Sequence, residues 1–283
     1  MIIYKTCTDV TMNEIFAAFS LGFSDYIVPL KMSQDVFESR FFGPEGNSLN
    51  QSIIALDNEL PVGLILGGIR FFDGLKTMRC GTLCIAPEYR GCGISHKLLE
   101  MHKSSAVNEG CKQLFLEVIK SNERAIKFYE NCGYTKVYDL KYYSGTIKSM
   151  HFSKDSHPDI IKNISFEKID DFRKTLMDCH INWQSDTPFY AMSTTEAYLA
   201  AYEGNKEIAY IAMSSQGKIN FLWVDPAYRN QGLGSSMVQK AAQMQNAEKC
   251  TICIPNNSSL EGFLRKQQFQ KEPIEQYEMY LPL

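Results

Sequence analysis

Hydrophobic and polar positions along the chain predict many short strands separated by helices. Apolar residues at helical spacing predict a helix in TMNEIFAAFSLGF, and Ser33 is positioned to cap a second helix in SQDVFESRFF. The stretches SIIALDNE, LPVGLILGGIRFF and MRCGTLCIAP indicate three successive strands with turn residues between them. A glycine-rich turn then opens a helix, which we expect Gly110 to end.

The order of elements in the first half is repeated in the second. The first half closes with the strand QLFLEVI, the helix NERAIKFYENCG and the strand YTKVYDLKYY. The second half has the strands AYLAAYEG, EIAYIAMSS and INFLWVDP, a turn, the helix SSMVQKAAQMQ, the strand CTICIP, the helix SSLEGFLRKQQ and the strand EQYEMYL. This alternation predicts an α/β (α+β) fold, with a mixed, mostly antiparallel sheet flanked by helices in each half.

Two glycine-rich turns, PEYRGCGISHKLL at 87–99 and PAYRNQGLGSSMV at 226–238, are nearly the same sequence. Four identities recur 139 residues apart: Pro87, Tyr89, Arg90 and Gly93 as Pro226, Tyr228, Arg229 and Gly232. Such a spacing indicates a duplicated domain, because the repeats of solenoids are much shorter. We therefore predict domains at residues 1–145 and 161–283, joined by a polar linker at 146–160.

Composition narrows the classes of function. Hydrophobic residues make up 45% of the chain, which is ample for packed cores. The net charge of -3 gives no reason to expect a nucleic-acid or membrane partner. The nine cysteines show no metal-ligand spacing, so we expect no metal site. Without a signal sequence or a membrane-spanning apolar run, the chain is expected to be cytoplasmic with reduced thiols.

The order strand, glycine turn, helix has a chemical consequence. A helix N-terminus carries unpaired N–H groups and a partial positive charge, which together hold phosphate oxygens. Gly93 allows close approach of the backbone, and Arg90 adds positive charge near the rim. A turn without any ligand is the alternative. A nucleotide P-loop is excluded by the missing Gly-Lys-Ser/Thr, and a dinucleotide fingerprint by His96 and Met237 at the third glycine.

The first turn and its surroundings resemble motif A of the GCN5-related N-acetyltransferases (GNAT), with Arg-x-x-Gly-x-Gly/Ala after an apolar strand. TLCIAPEYRGCGISHKLL followed by LFLEVIKSNERAIKFYENCGY looks particularly similar to the ribosomal-protein alanine N-acetyltransferases, although Ser95 replaces the usual Gly or Ala. The resemblance implies two tandem GNAT domains that bind acetyl-CoA. In the first domain it implies these cofactor-binding residues: Leu83, Cys84, Ile85, Arg90, Gly91, Cys92, Gly93, Ile94, Ser95, His96 and Asn122. In the second it implies Leu222, Trp223, Val224, Arg229, Asn230, Gln231, Gly232, Leu233, Gly234, Ser235 and Asn257.

The same resemblance implies catalytic roles in the first domain. Tyr129 matches the general acid that protonates the leaving thiolate, and Glu117 matches a general base. The alternatives to these roles are that the tyrosine only packs in the core and that the glutamate only lies on a solvated face of the strand. In the second domain Leu264 and Ile252 align with these residues, and neither can transfer a proton. We therefore expect catalysis in the first domain and cofactor binding or a structural role in the second.

The expected reaction is acetyl transfer by direct attack of a primary amine, from a small molecule or a peptide N-terminus. The stretch that forms the acceptor pocket in the family contains Asp25, Tyr26, Glu38 and Arg40. Two alternatives stay open: catalysis in the C-terminal or both domains, or a CoA-binding sensor without turnover. We expect a monomer or a homodimer.

Overall fold

The chain forms two compact units. The computed structural model describes residues 1–150, 158–176, 179–191, 193, 195–256 and 258–283. Unit 1 comprises Met1–Val137 and Tyr277–Leu283, and unit 2 comprises Tyr138–Gln276. Each unit contains a mixed sheet flanked by helices, so the predicted fold class is confirmed.

The elements follow the predicted order. The first part of the chain contains β1 (Ile2–Thr6), α1 (Met12–Gly22), α2 (Gln34–Phe41), β2 (Ser48–Asp57), β3 (Leu60–Phe72), β4 (Leu75–Ile85), α3 (Ile94–Asn108), β5 (Gln113–Ile119), α4 (Glu123–Asn131) and β6 (Thr135–Thr146). The second part contains β7 (Ile161–Asn163), α5 (Phe166–Thr175), α6 (Thr187–Tyr190), β8 (Ala197–Glu203), β9 (Lys206–Met213), β10 (Lys218–Val224), α7 (Leu233–Gln245), β11 (Lys249–Pro255), α8 (Ser258–Lys266) and β12 (Gln270–Pro282).

Local signals explain where the first helices begin. Thr11 and Glu14 form a reciprocal capping box at the start of α1, with the Thr11 amide donating to the Glu14 carboxylate at 2.7 Å. Ser33 caps α2 as predicted, since its hydroxyl accepts from the Val36 amide at 3.4 Å. Past the end of α3, Gly110 has a φ of 70°, the left-handed conformation that favours glycine after a helix.

The two sheets share one pairing pattern. In unit 1, β1 to β4 pair antiparallel in sequence order, and β4 pairs parallel with β5. In unit 2, β7 to β10 pair antiparallel, β10 pairs parallel with β11, and β11 pairs antiparallel with β6. The parallel step in each unit is bridged by the helix that follows the glycine turn, α3 or α7.

The division between the units differs from the predicted boundaries at 145 and 161. The chain leaves unit 1 inside β6 and returns to it inside β12. The end of β12 lies beside β5 in unit 1, while the later part of β6 pairs with β11 in unit 2. Strand pairing over so long a sequence separation leaves no local trace in the sequence. Of the predicted linker, residues 151–157 lie outside the described residues.

Each unit has a hydrophobic core on both faces of its sheet. In unit 1, one core packs under α3 and α4 and contains Leu98 and Ile126, and the other packs under α1 and α2 and contains Phe19 and Phe37. Unit 2 repeats this arrangement under α7 and α8 and under α5 and α6. Both faces of each sheet are therefore covered, which explains the long apolar runs in the central strands.

Candidate functional site

The strands β4 and β5 of unit 1 separate part-way along their length. Among the described residues, their parallel pairing is limited to Thr77, Met78 and Arg79 of β4. We call the diverging part, residues 80–85 of β4 and 116–119 of β5, the fork. Beyond the last pair, the edge of β4 that faces β5 offers backbone N–H and C=O groups to a ligand.

A β-bulge accompanies the separation. Leu66 of β3 pairs with Thr82 but Gly67 pairs with Cys80, so Gly81 is an extra residue in β4. A side chain at Gly81 would collide with the amide of Asn47. The bulge reverses the alternation of β4, because Cys80 before it and residues 83 and 85 after it all face the core under α3 and α4.

The glycine turn follows β4 and ends at the N-terminus of α3. Gly91 and Gly93 both have a φ of 81°, and a Cβ at either would meet open space. Arg90 ties the turn to the preceding strand, because its Nε donates to the Ile85 carbonyl at 3.1 Å. Its two terminal nitrogens form hydrogen bonds of 2.6 and 2.7 Å with Asp25, which lower the pKa of that carboxyl. The first amides of α3 are thus presented at the end of the fork.

One cavity of about 500 Å³ joins the fork, the turn and α4. Its walls include most of the residues predicted for unit 1: Leu83, Cys84, Ile85, Arg90, Gly91, Gly93, Ile94, Ser95, His96, Asn122 and Tyr129. Cys92 and Glu117 are not part of its lining. Residues distant in sequence therefore meet around one space of the size that ligand sites usually have.

Tyr129 lies at the inner end of this site on α4. Tyr129 is 8% exposed, and its hydroxyl lies near the Cys80 thiol. Burial raises the pKa of Tyr129 well above its usual value, and the nearby Cys80 and Tyr134 add to the increase. The phenol therefore keeps its proton at neutral pH. Burial also raises the pKa of the Cys80 thiol to about 12, which makes it a poor nucleophile.

Asn122 and Tyr26 lie beside Tyr129. Asn122 caps α4, since its Oδ1 accepts from the Ala125 amide at 3.2 Å. The side chain of Tyr26 borders the same cavity, and burial raises its pKa, an increase that the nearby Asn122 side chain reduces. Sequence reasoning placed Tyr26 only in an acceptor loop and gave no sign of its place near Asn122. Of the other acceptor candidates, Asp25 lines the cavity, whereas Glu38 and Arg40 are exposed on α2.

Glu117 lies in a buried ion network behind the cavity. The guanidinium of Arg79 donates from Nε at 3.0 Å and from Nη2 at 2.6 Å to Glu117 Oε2, and from Nη1 at 2.8 Å to Glu45 Oε2. All three side chains are 5% exposed. Burial lowers the pKa of Arg79, but the two carboxylates more than compensate and raise it above its usual value. Neither Arg79 nor Glu45 was identified from the sequence.

Unit 2 repeats the turn and the fork. Asn230 and Gly232 have φ values of 62° and 84°, which match those of the two glycines in unit 1. Arg229 Nε donates to the Val224 carbonyl at 2.9 Å, as its counterpart does. The pairing between β10 and β11 is limited to two residues of each strand, and Asn220 is the bulged residue of β10.

The positions of Tyr129 and Glu117 carry an apolar group and a thiol in unit 2. Leu264 on α8 is fully buried in the core, in the place that Tyr129 occupies on α4. The pairing of the parallel strands places Cys253 at the position of Glu117, and Ile252 at the position of Leu116. The alignment made from the sequence, which set Ile252 at the position of Glu117, is therefore displaced by one residue.

The residues predicted to bind a cofactor in unit 2 differ in burial. Leu233 and Ser235 are buried, and Asn257 lies outside the described residues. The others are half-buried or exposed: Leu222, Trp223, Val224, Arg229, Asn230, Gln231, Gly232 and Gly234.

Comparisons with known proteins identify the family. Residues 13–134 match the acetyltransferase (GNAT) family, and residues 194–271 match the acetyltransferase (GNAT) domain. The chain is a tandem-domain member of the GNAT superfamily. The two matches cover the two copies of the turn. In the part of the chain that the structure describes, no group of His, Cys, Asp or Glu side chains could hold a metal ion, and no helix is long and apolar enough to cross a membrane.

Similar curated proteins are acetyltransferases. N-alpha-acetyltransferase 30 of Schizosaccharomyces pombe is 35% identical over 95 residues, which are 32% of this chain and 63% of that protein. N-alpha-acetyltransferase 60 of Xenopus tropicalis is 28% identical over 138 residues, 48% and 50% of the two chains. Thialysine N-epsilon-acetyltransferase of Mus musculus is 29% identical over 112 residues, 37% and 65%. The matches thus span between half and two thirds of these relatives.

Solved structures share the tandem fold over the whole chain. A GCN5-related N-acetyltransferase from Sphaerobacter thermophilus has a TM-score of 0.68 at 11% identity, over 99% of this chain and 95% of that one. A tandem GNAT protein from the clavulanic acid biosynthesis pathway has a TM-score of 0.67 at 11% identity, over 100% and 98%. At this level of identity the likeness concerns the fold alone.

Proposed function

We propose that the protein is an acetyl-CoA-dependent N-acetyltransferase that transfers acetyl to a primary amine, with catalysis in unit 1. One observation carries the proposal: the glycine turn, the open edge of β4, Asn122 and Tyr129 surround a single cavity. The curated relatives, named for N-alpha and N-epsilon acetyl transfer, support an amine acceptor.

The residues of the cavity fit the parts of acetyl-CoA. The amides of residues 91–96 would hold the pyrophosphate, because they lie at a helix N-terminus and the turn leaves open space above both glycines. The edge of β4 from Leu83 to Ile85 would pair with the amides of the pantetheine arm. Asn122 would contact that arm near the thiol.

Acetyl-CoA supplies the acetyl group as a thioester, and the chain supplies positioning and protons. Burial raises the pKa of Tyr129 and keeps the phenol protonated, and this proton would pass to the departing sulfur as negative charge develops there. A backbone N–H of β4 near Cys84 would donate to the developing oxyanion. Glu117 would take up the proton of the amine through a water molecule, because it lies outside the cavity lining.

Unit 2 is proposed to bind CoA without catalysing the transfer. Its turn has the same backbone conformation as that of unit 1, which supports phosphate binding. Leu264 cannot protonate a thiolate, and no other described residue of α8 is a tyrosine. A sequestered or regulatory CoA site fits this combination.

Calorimetric titration of the full chain with acetyl-CoA tests the proposal. We expect two binding events, of which Gly93→Asp removes one and Gly232→Asp the other, since a carboxylate in the turn repels phosphate. CoA release with synthetic peptides that carry free N-termini, or with small primary amines, should be lost in Gly93→Asp and kept in Gly232→Asp. The absence of binding by the unaltered chain would refute the proposal, and the reverse pattern of release would move catalysis to unit 2.

A further inference from the structure

A second cavity of unit 1 lies between α3 and the end of α4. It has a volume of about 560 Å³, which is within the usual range of small-molecule sites. Its apolar lining comes from separate elements of unit 1: Leu99 of α3, Leu114 of β5, Leu281 of β12 and the ring of Tyr134. We call this cavity the α3 groove.

The α3 groove adjoins the cavity of about 500 Å³ around the glycine turn, which we call the cofactor cavity. Gly93 and His96 line both. The His96 ring lies 4.9 Å from the ring of Phe128, which borders the cofactor cavity, and its Nδ1 lies 3.8 Å from the Sγ of Cys132, which borders the groove. His96 therefore stands between the two spaces as a partition, and each space can hold a ligand of its own.

The charges of the groove favour an anion. Its charged lining residues are Lys97, Glu100 and Lys103. Lys97 and Glu100 form an ion pair at 3.0 Å and neutralise each other. Lys103 has no ion-pair partner in the part of the chain that the structure describes, so its positive charge is available to an anionic ligand.

The groove also contains an unused hydrogen-bond donor. Tyr134 is 2% exposed, and its buried hydroxyl has no hydrogen-bond partner among the described residues. A buried polar group without a partner is unfavourable, and a ligand atom that accepts its hydrogen bond would relieve this cost. A carboxylate can accept from a hydroxyl and from an ammonium group at the same time, while the apolar lining suits a hydrocarbon body.

We propose that the α3 groove is a second ligand site of unit 1, which binds a small amphipathic carboxylate while the cofactor cavity stays free for acetyl-CoA. Lys103 holds the carboxylate, and the three leucines of the groove contact the hydrocarbon part. The inference requires binding alone and does not depend on acetyl transfer.

The place of the groove brings its ligand close to both parts of the proposed active site. His96 lies in the first turn of α3, directly after the glycine turn, and the Tyr134 ring packs edge-on against that of Tyr129 at 5.7 Å. Unit 2 has Ser235 and Ala242 at the positions 139 residues after His96 and Lys103, so we expect the site in unit 1 alone.

The test is calorimetric titration of the full chain with sodium octanoate, with and without saturating acetyl-CoA. We expect octanoate to bind at a single site in both conditions. Lys103→Gln should weaken this binding by about tenfold, because a charge-assisted hydrogen bond is lost. The matched control is Lys127→Gln, at an exposed lysine of α4 that lines neither cavity, and its affinity for octanoate should be unchanged. Octylamine, which has the opposite charge, and acetate, which lacks a hydrocarbon body, should not bind.

Alkylation of Cys132 by iodoacetamide gives an independent measurement on the unaltered chain. Cys132 is half-buried and lines the groove, whereas Cys179 is exposed in unit 2. At an octanoate concentration about ten times its Kd, modification of Cys132 should slow by about tenfold, and that of Cys179 should keep its rate. Peptide mass spectrometry measures both rates.

The inference is overturned if octanoate does not bind, if Lys103→Gln binds it as well as the unaltered chain, or if it leaves the alkylation of Cys132 unchanged. Competition between octanoate and acetyl-CoA would also overturn it and would assign the groove to the cofactor. The proposed function fails separately, through the absence of acetyl-CoA binding, because the octanoate titration without cofactor does not depend on it.

Discussion

The two copies of the glycine turn differ little in backbone and greatly in chemistry. Asn230 reproduces the left-handed conformation of Gly91, and both arginines tie the turn to the preceding strand. Tyr129 and Leu264, in contrast, are both buried at the same place on the helix, but only Tyr129 carries a group that can donate a proton. The proposed phosphate binding by backbone amides would survive substitution as long as φ is kept, whereas the proposed proton transfer would end with the loss of a single hydroxyl.

The two units also differ in the size of a side chain on β4 and β10, next to the place where an acceptor is expected. In unit 1 the small Cys84 packs against Gly22 and borders the cavity. Its counterpart in unit 2 is Trp223, which lies edge-on to Phe172 at 4.6 Å within an aromatic cluster. In unit 2 a large side chain thus occupies a position that unit 1 keeps small, which supports the proposal that unit 2 binds CoA without an acceptor.

Among the changes considered, Tyr129→Phe should have the largest effect, because it removes the main chemical difference between the two units. If the phenol protonates the thiolate, its removal lowers kcat by about 100- to 10,000-fold and makes the two units chemically alike. Binding of acetyl-CoA should be kept, because the turn and β4 are untouched. The measurement is CoA release with a peptide acceptor, alongside calorimetry.

Tyr134→Phe is the matched control. Tyr134 is 2% exposed, its hydroxyl has no hydrogen-bond partner among the described residues, and it is not part of the lining of the cofactor cavity. Burial raises its pKa as it does for Tyr129. Removing an unsatisfied hydroxyl costs little stability, so transfer should stay within about twofold of the unaltered rate. Equal losses in both variants would assign Tyr129 to packing instead of acid catalysis.

The sequence predicts what local patterns encode. Both turns, the Ser33 cap and the order of elements follow from periodicity and from positions that need special φ values. The convergence of Asn122 and Tyr129 on one cavity follows from their places on α4. Arg79 is different, because its partners Glu45 and Glu117 lie on separate elements and nothing in their neighbourhoods indicates a contact. The return of β12 to unit 1 is hidden for the same reason.

The second-largest expected effect is on the stability of unit 1 at acid pH. His102 on α3 is 0% exposed, and neither ring nitrogen has a hydrogen-bond partner in the described part of the chain. Its counterpart on α7 is Ala241. Burial lowers the pKa of His102 to about 4, from 6.5. Between these values the unfolded chain binds more protons than the folded one, so stability falls as the pH falls from 6.5 towards 4.

His102→Leu should remove this dependence. Denaturant unfolding of unit 1 at pH 7 and pH 5 should differ by about 2 kcal/mol less in the variant than in the unaltered protein. At pH 7 the loss should be small, because an imidazole without hydrogen bonds is replaced by an apolar group. His96→Gln, at an exposed histidine, should leave the dependence as it is. An unchanged difference in His102→Leu would show that other groups govern the acid response.

The smallest expected effect concerns the KM for acetyl-CoA and tests whether the two turns need glycine for the same reason. A Cβ at Gly91 meets open space, so only its φ of 81° restricts the residue there. Asn230 shows that asparagine adopts the required conformation, and we expect Gly91→Asn to raise the KM for acetyl-CoA less than about threefold. Gly91→Val should raise it by about tenfold, since a β-branched residue at positive φ costs about 1–3 kcal/mol. Steady-state kinetics at saturating acceptor measures both. Equal effects of the two changes would mean that contact with the phosphate, and not backbone conformation, makes glycine necessary in unit 1. The two turns would then bind the cofactor differently despite their matching dihedral angles.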